Sequence, residues 1–314
     1  MKRLFFFLLA SITSLAVGFT QQKASGSLAP TAAENTLLWE ISGKDLDQSS
    51  FLYGTIHMIN KNDFVMTEAT KSAFEKAKLV TFEINLEEMT NMAAMMPLMM
   101  KAFMANDTTL QDLLSEEDYR LVSGHFEKLG LPMMLLNRIK PMFLSALTSE
   151  DALKMSEEPG EVVSYEMEFM EMARQQGKTM AGLETAEYQM SMFDSIPYRA
   201  QAEMLVEGIQ TGDTGNDQFK KMIELYKSQD LQGLQEMLSS DESGVAEYED
   251  LLLLQRNRNW IPVMEKMMAG QTVFFAVGAG HLAGEEGVIA LLRKEGYTLK
   301  PIKSSGKSRK RGKL

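Results

Sequence analysis

The chain has 314 residues, 45% apolar and 24% charged, which is enough apolar material for a packed core and excludes a fibre or a disordered polymer. It has no cysteine, which excludes disulfides, thiolate metal sites, a cysteine nucleophile and a lipid anchor on an N-terminal cysteine. A net charge of −11 makes it a poor nucleic-acid binder, because phosphate repels an acidic body.

Lys2 and Arg3 precede an uncharged, largely apolar run over residues 4–17, and Ala16, Val17 and Gly18 supply the small residues of a cleavage site. The pattern predicts an export signal over residues 1–18 and a mature protein in the periplasm or outside the cell. The run is shorter than the roughly 18 apolar residues a spanning helix needs, and no later run is longer, so no transmembrane segment is expected after cleavage. Residues 19–34 are small and polar and predict a linker.

Two apolar runs, 36–42 and 50–55, are split by Gly43, Lys44, Asp45, Leu46 and Asp47 and predict a hairpin. A helix is expected over 66–78 and a strand over 79–84. Residues 86–175 are rich in Leu, Met, Glu and Lys, with few glycines, and predict mostly helix. A short strand over 178–183 precedes further helices over 186–268. A buried strand over 271–277, a helix over 284–294 and a strand over 297–302 complete the order. Strands at both ends must join in one sheet to bury their apolar residues. The expectation is therefore an α/β (α+β) domain over residues 35–303, with strands from both ends and a large helical middle. Residues 304–314 form a basic tail, expected to be disordered; with Lys303 it holds Lys307, Arg309, Lys310, Arg311 and Lys313 and no acid.

Two of the three histidines share a setting. Phe51-Leu52-Tyr53 runs into Gly54-Thr55-Ile56-His57, and Phe274-Phe275-Ala276-Val277 runs into Gly278-Ala279-Gly280-His281. Each is an apolar strand followed by Gly-x-x-His. Strand–helix–strand connections are nearly always right-handed and parallel, so both histidines should leave the carboxyl edge of the sheet, where ligands bind. Glu83 sits near the end of the strand over 79–84, and Glu184 directly follows the strand over 178–183. Two imidazoles and one or two carboxylates suit a divalent metal, zinc included, and a further glutamate suits a general base. His57, Glu83 and His281 are expected to place their functional atoms within about 8 Å of one another. Glu184 should border the same cleft, and Arg256, as a carboxylate or oxyanion clamp, should lie on its rim.

Other features read more plainly. Met89, Met92, Met95, Met96, Met99, Met100 and Met104 fall three and four apart, the spacing of a buried helix stripe, and read as a soft, adaptable core or groove wall. A lid over an apolar or peptide substrate and a copper-binding cluster share that spacing. His125 is expected to be an ordinary packing or surface residue, remote from the site. No Gly-x-Ser-x-Gly, phosphate-loop, dinucleotide or His-Glu-x-x-His motif is present.

Leu38-Trp39-Glu40 with residues 51–57, Gly182-Leu183-Glu184-Thr185 with Gln189, Arg256-Asn257-x-x-Trp260, Val277-Gly278-Ala279-Gly280-His281-Leu282 and Gly284-x-x-Gly287 occur in this order. Together they resemble the TraB/PrgY/GumN family, which includes the Tiki proteases. The resemblance implies a split mixed sheet flanked by helices. It also implies that His57, Glu83 and His281 match residues proposed as catalytic or metal-binding, with Glu184 and Arg256 at further motif positions. Tiki proteins are described as metal-dependent peptidases using manganese or cobalt. The expected function is thus metal-dependent hydrolysis of a peptide or protein substrate, with Glu83, Glu184 and Arg256 as catalytic residues. The alternative is a non-catalytic binder of a small ligand, haem or a signalling peptide in the same pocket. Oligomeric state is not legible.

Overall fold

The computed structural model describes residues 27–90, 92–145, 148, 162–211, 213–239 and 245–303. The expected signal, residues 19–26 of the expected linker and the basic tail over 304–314 lie outside the described residues. Among the described residues, no helix is long and apolar enough to cross a membrane.

Among the described residues, eight strands occur in chain order: β1 (Leu38–Gly43), β2 (Ser50–Thr55), β3 (Ile59–Asn60), β4 (Leu79–Ile84), β5 (Val162–Val163), β6 (Thr179–Glu184), β7 (Val273–Gly278) and β8 (Tyr297–Pro301). Six of them form one mixed sheet in the order β6-β4-β7-β2-β1-β8. β6, β4, β7 and β2 run parallel, whereas β1 is antiparallel to both β2 and β8. The expected hairpin is β1–β2; its turn places Gly43, Lys44 and Asp45 at positive φ. β3 and β5 form a separate antiparallel pair through Ile59 and Val163 that no sequence pattern announced.

β2 and β4 are joined through helix Glu68–Lys76 but do not pair; β7, from the other end of the chain, lies between them. Its run Val273-Phe274-Phe275-Ala276-Val277 is wholly buried, and so apolar a strand belongs at the centre, covered on both faces and paired on both edges. Central placement of β7 brings the end of β4 and the end of β2 to either side of His281.

The main core packs Trp39, Phe74, Phe82, Phe169, Trp260, Phe274 and Phe275 about this sheet. The helical middle has a second core, including Leu110, Val122, Phe126, Leu144 and Leu205. Helix Met92–Lys101 departs from the buried-stripe expectation. Met104 is buried in the second core, but Met92, Met96, Met99 and Met100 are each more than half exposed. The helix is seated by its contacts with the turn Glu88–Thr90 and helix Ala186–Met192, which leaves this face outward.

After β7 the chain turns tightly before helix Val288–Lys294, and Gly287 makes that turn. A Cβ there would lie 2.0 Å from the Ala283 carbonyl oxygen and 2.5 Å from that of Leu282. Backbone cannot step aside cheaply, so Gly287→Ala should cost about 3 kcal/mol, the upper end for overpacking. A thermal melt coinciding with that of the natural chain would contradict this packing.

Candidate active site

The parallel strands deliver their ends to one edge. Thr55 of β2 pairs with Gly278 of β7, and Ile84 of β4 pairs with Glu184 of β6. Glu184 is therefore the last residue of its strand. Helix Gln255–Met268 crosses this edge and presents Arg256 and Asn257, with Trp260 one turn further on. A π-helical turn, Asp250–Leu254, runs directly into it, and the Leu252 carbonyl accepts from Arg256 Nη1 at 3.2 Å.

Arg256 is the centre of the cluster, not its rim as expected. Its Nη2 donates to Glu83 Oε2 at 2.5 Å and Glu184 Oε1 at 2.6 Å, and its Nε donates to the same Glu184 oxygen at 2.9 Å. The remaining Glu184 oxygen accepts from Trp260 Nε1 at 2.9 Å, and the guanidinium lies 4.9 Å from the Trp260 ring centre. Gln189, on the helix that Thr185 caps, donates to both glutamates. Glu83 Oε1 accepts from the Gly278 backbone N–H at 2.9 Å. A Cβ at Gly278 would lie 3.2 Å from that oxygen, so glycine lets the carboxylate approach the strand end.

His281 is buried, and its Nδ1 lies 2.6 Å from Asn257 Oδ1. The Asn257 amide donates to the Glu286 carbonyl, which fixes which end is oxygen. An amide oxygen can only accept, so Nδ1 carries the proton. Burial lowers His281 to about 4, outweighing the Glu83 charge, so the ring is neutral near pH 7. Nε2 then carries the lone pair, 3.2 Å from Arg256 Nη1 and 3.7 Å from Glu83 Oε1. Burial pushes Glu83 upward, but the charges of protonated His281 and Arg256, with the Gly278 N–H, hold it down to about 2.

His57 stands differently. Its side chain is 79% exposed, with Nδ1 bonded to Glu166 Oε1 at 2.9 Å. That bond raises His57 to about 9, so the ring is protonated near pH 7 although solvent screens it. The charges of Glu83 and Arg256 both act on His57, and its own charge acts on His281. Tyr226 steadies the start of this loop by donating to the Gly54 carbonyl.

Glu83, Glu184, Arg256 and His281 thus meet in direct contact, and His57 shares their sheet edge and field. His125 is elsewhere, edge-on to Phe126 in helix Glu116–Lys128 of the second core. Glu166 was not legible as a site residue. It lies 111 residues from Thr55, and an acid just after the helix-capping Ser164 reads as an ordinary helix start.

The expected metal ligands His57, Glu83 and His281 do not fit a cation in this arrangement. Arg256 already places a positive charge against Glu83, Glu184 and His281 Nε2, where a divalent ion would meet close, poorly screened repulsion. Among the described residues, no three His, Asp or Glu side chains are grouped to hold a metal.

The family model for TraB/PrgY/gumN matches residues 37–301. The chain is 24% identical to Metalloprotease TIKI1 of Danio rerio, covering 85% of this chain and 63% of that protein. It is 24% identical to Metalloprotease TIKI1 of Homo sapiens, over 97% of this chain and 71% of the relative. It is 22% identical to the Metalloprotease TIKI homolog of Amphimedon queenslandica, over 93% and 66%. The chain thus spans about two thirds of the length of these relatives. No solved structure matches. The ordered motifs, the sheet that gathers them at one edge and the match over residues 37–301 agree: the chain belongs to the TraB/PrgY/gumN family.

Proposed function

We propose that this chain is a hydrolase of peptide bonds, acting in the periplasm or outside the cell, with His57, Glu83 and His281 as its reactive residues. The observation that carries this reading is a pair of histidines at one sheet edge held in opposite states. His281 is buried and neutral beside ionised Glu83, and His57 is protonated and open to solvent. Environments that drive two titratable groups apart mark an acid and a base. Their association with relatives named metalloproteases supports a peptide substrate.

In this scheme one water takes the place of Arg256 Nη1 as the donor to His281 Nε2 and gives its other proton to Glu83 Oε1 as a hydrogen bond, which orients its oxygen toward a peptide carbonyl carbon. As the carbon–oxygen bond forms, a water proton passes to this acceptor pair. His57 donates its Nε2 proton to the amide nitrogen as the carbon–nitrogen bond breaks. Arg256 holds both glutamates in place and, with Gln189, keeps Glu83 aimed.

The test is turnover of a peptide mixture by the full mature chain, with EDTA, manganese, cobalt or zinc in parallel arms. His57→Ala and His281→Ala should each lower turnover by about 10²–10⁴-fold. Undiminished turnover in His57→Ala would overturn the assignment. Turnover that appears only with one of the metals would require Arg256 to leave the centre of the site.

A further inference from the structure

We infer that Glu166 is a positioning residue of this site: its buried carboxylate anchors the His57 imidazole at Nδ1, leaving Nε2 as the outward nitrogen. The inference rests on reading His57 as reactive.

Three donors converge on this carboxylate. Thr55 Oγ1 at 2.7 Å and His57 Nδ1 at 2.9 Å share Oε1, and Ser164 Oγ reaches Oε2 at 2.8 Å. The Glu166 side chain is 11% exposed, whereas that of His57 is 79% exposed. An imidazole so open, on a loop just past a strand, would otherwise turn among rotamers and between tautomers. Fastening one nitrogen to a fixed carboxylate removes that freedom.

The plain alternative is that Glu166 is an acid in a first helical turn, favoured by the helix dipole. That role needs neither Thr55 nor His57. Here the last residue of β2 and the histidine two positions later both bind one Glu166 oxygen. The β3–β5 pair adds an independent observation. Ile59, two residues after His57, pairs with Val163, three residues before Glu166. The small sheet therefore clamps the loop that carries the histidine to the segment that carries its anchor.

His281 has the same arrangement with a neutral partner. Asn257 binds its Nδ1 and leaves Nε2 toward Glu83. Both histidines are thus held at Nδ1 by a side-chain oxygen and differ at Nε2, which in His281 faces Arg256 Nη1. Partners of this kind fix tautomer and ring direction, and losing one costs about 10–100-fold in activity.

The experiment uses the full mature chain with ¹⁵N-labelled histidine. His57→Gln assigns the His57 signals among three histidines. Above a pH of about 9, where the His57 ring is neutral, the natural chain should show the Nδ1–H tautomer. Glu166→Ala should shift His57 toward the Nε2–H form and leave His281 unchanged. With peptide substrate, kcat should fall about 10–100-fold while KM stays near its original value, and Glu166→Gln should recover part of the loss. Folded Glu166→Ala with unaltered His57 nitrogen shifts overturns the inference. Should that variant fail to fold, Glu166→Gln decides: losing the carboxylate charge must move the His57 Nδ1 shift, and an unmoved shift overturns it. If the natural chain turns over no peptide, the hydrolase reading fails, while the nitrogen shifts still judge Glu166.

Discussion

Arg256→Met is expected to lower unfolding stability by about 3–5 kcal/mol, the range for removing one partner of a buried charge cluster. Near neutral pH His281 is uncharged, so Arg256 is the cation in contact with Glu83 and Glu184. Their side chains are 14% and 5% exposed. Methionine of similar length would leave two carboxylates close together with little water to separate them. Urea unfolding near pH 7 measures the loss, and a loss below about 1 kcal/mol, the scale of a surface ion pair, would contradict the central role.

Acid should then separate the two proteins. In the natural chain Glu83 is depressed from 4.5 to about 2, so its contribution is present above 4.5 and is lost as pH falls through about 2. In Arg256→Met the Glu83 carboxyl should rise above its unfolded value. Its folded form would then bind a proton first, and the variant should gain stability as pH falls from 7 toward 5. Arg256→Lys should lie between the two, because an ammonium cannot reproduce the fork that reaches Glu83, Glu184 and His281 at once.

The second large effect is acid lability from His281. Its folded value of about 4 lies below the unfolded 6.5. Between these values the unfolded chain binds more protons, so stability rises with pH across the window and is lost on acidification from about 6.5 to about 4. The loss should be about 3 kcal/mol. His57 acts in the opposite sense: raised to about 9, its contribution is full below 6.5 and fades as pH rises through 9, although exposure makes it small. Unfolding by urea at pH 6.5, 5 and 4 tests this. His281→Gln should flatten the slope between 6.5 and 4, and an equally steep slope in that variant would place the lability elsewhere.

The sheet elements were readable because apolar runs bounded by turn residues mark strands regardless of their partners. β2 and β4 fall where the runs over 50–55 and 79–84 do, and β6, β7 and β8 are displaced by only one or two residues. The helix expected over 284–294 begins later, at Val288, because Gly284 takes a positive φ and the chain bends over residues 282–287 before it. The Met stripe misled because three-and-four spacing shows that residues share a face, not whether another element covers it.

By itself, then, the sequence determined which segments form the six-stranded sheet, that two histidines each follow one of them, and that glutamates Glu83 and Glu184 stand at the ends of two others. These properties depend on local composition and on where a strand must stop. Tertiary structure decided the rest: β7 between β2 and β4, Arg256 at the centre of the glutamates, and Glu166 beneath His57. The reason is that each is a pairing across a long stretch of chain. Strand order follows from which strand most needs burial on both faces, and the partner of a charged side chain follows from which elements then meet at the sheet edge. Spacing along one chain records neither, so an acid such as Glu166 looks like any helix start until β3 and β5 bring it to its histidine.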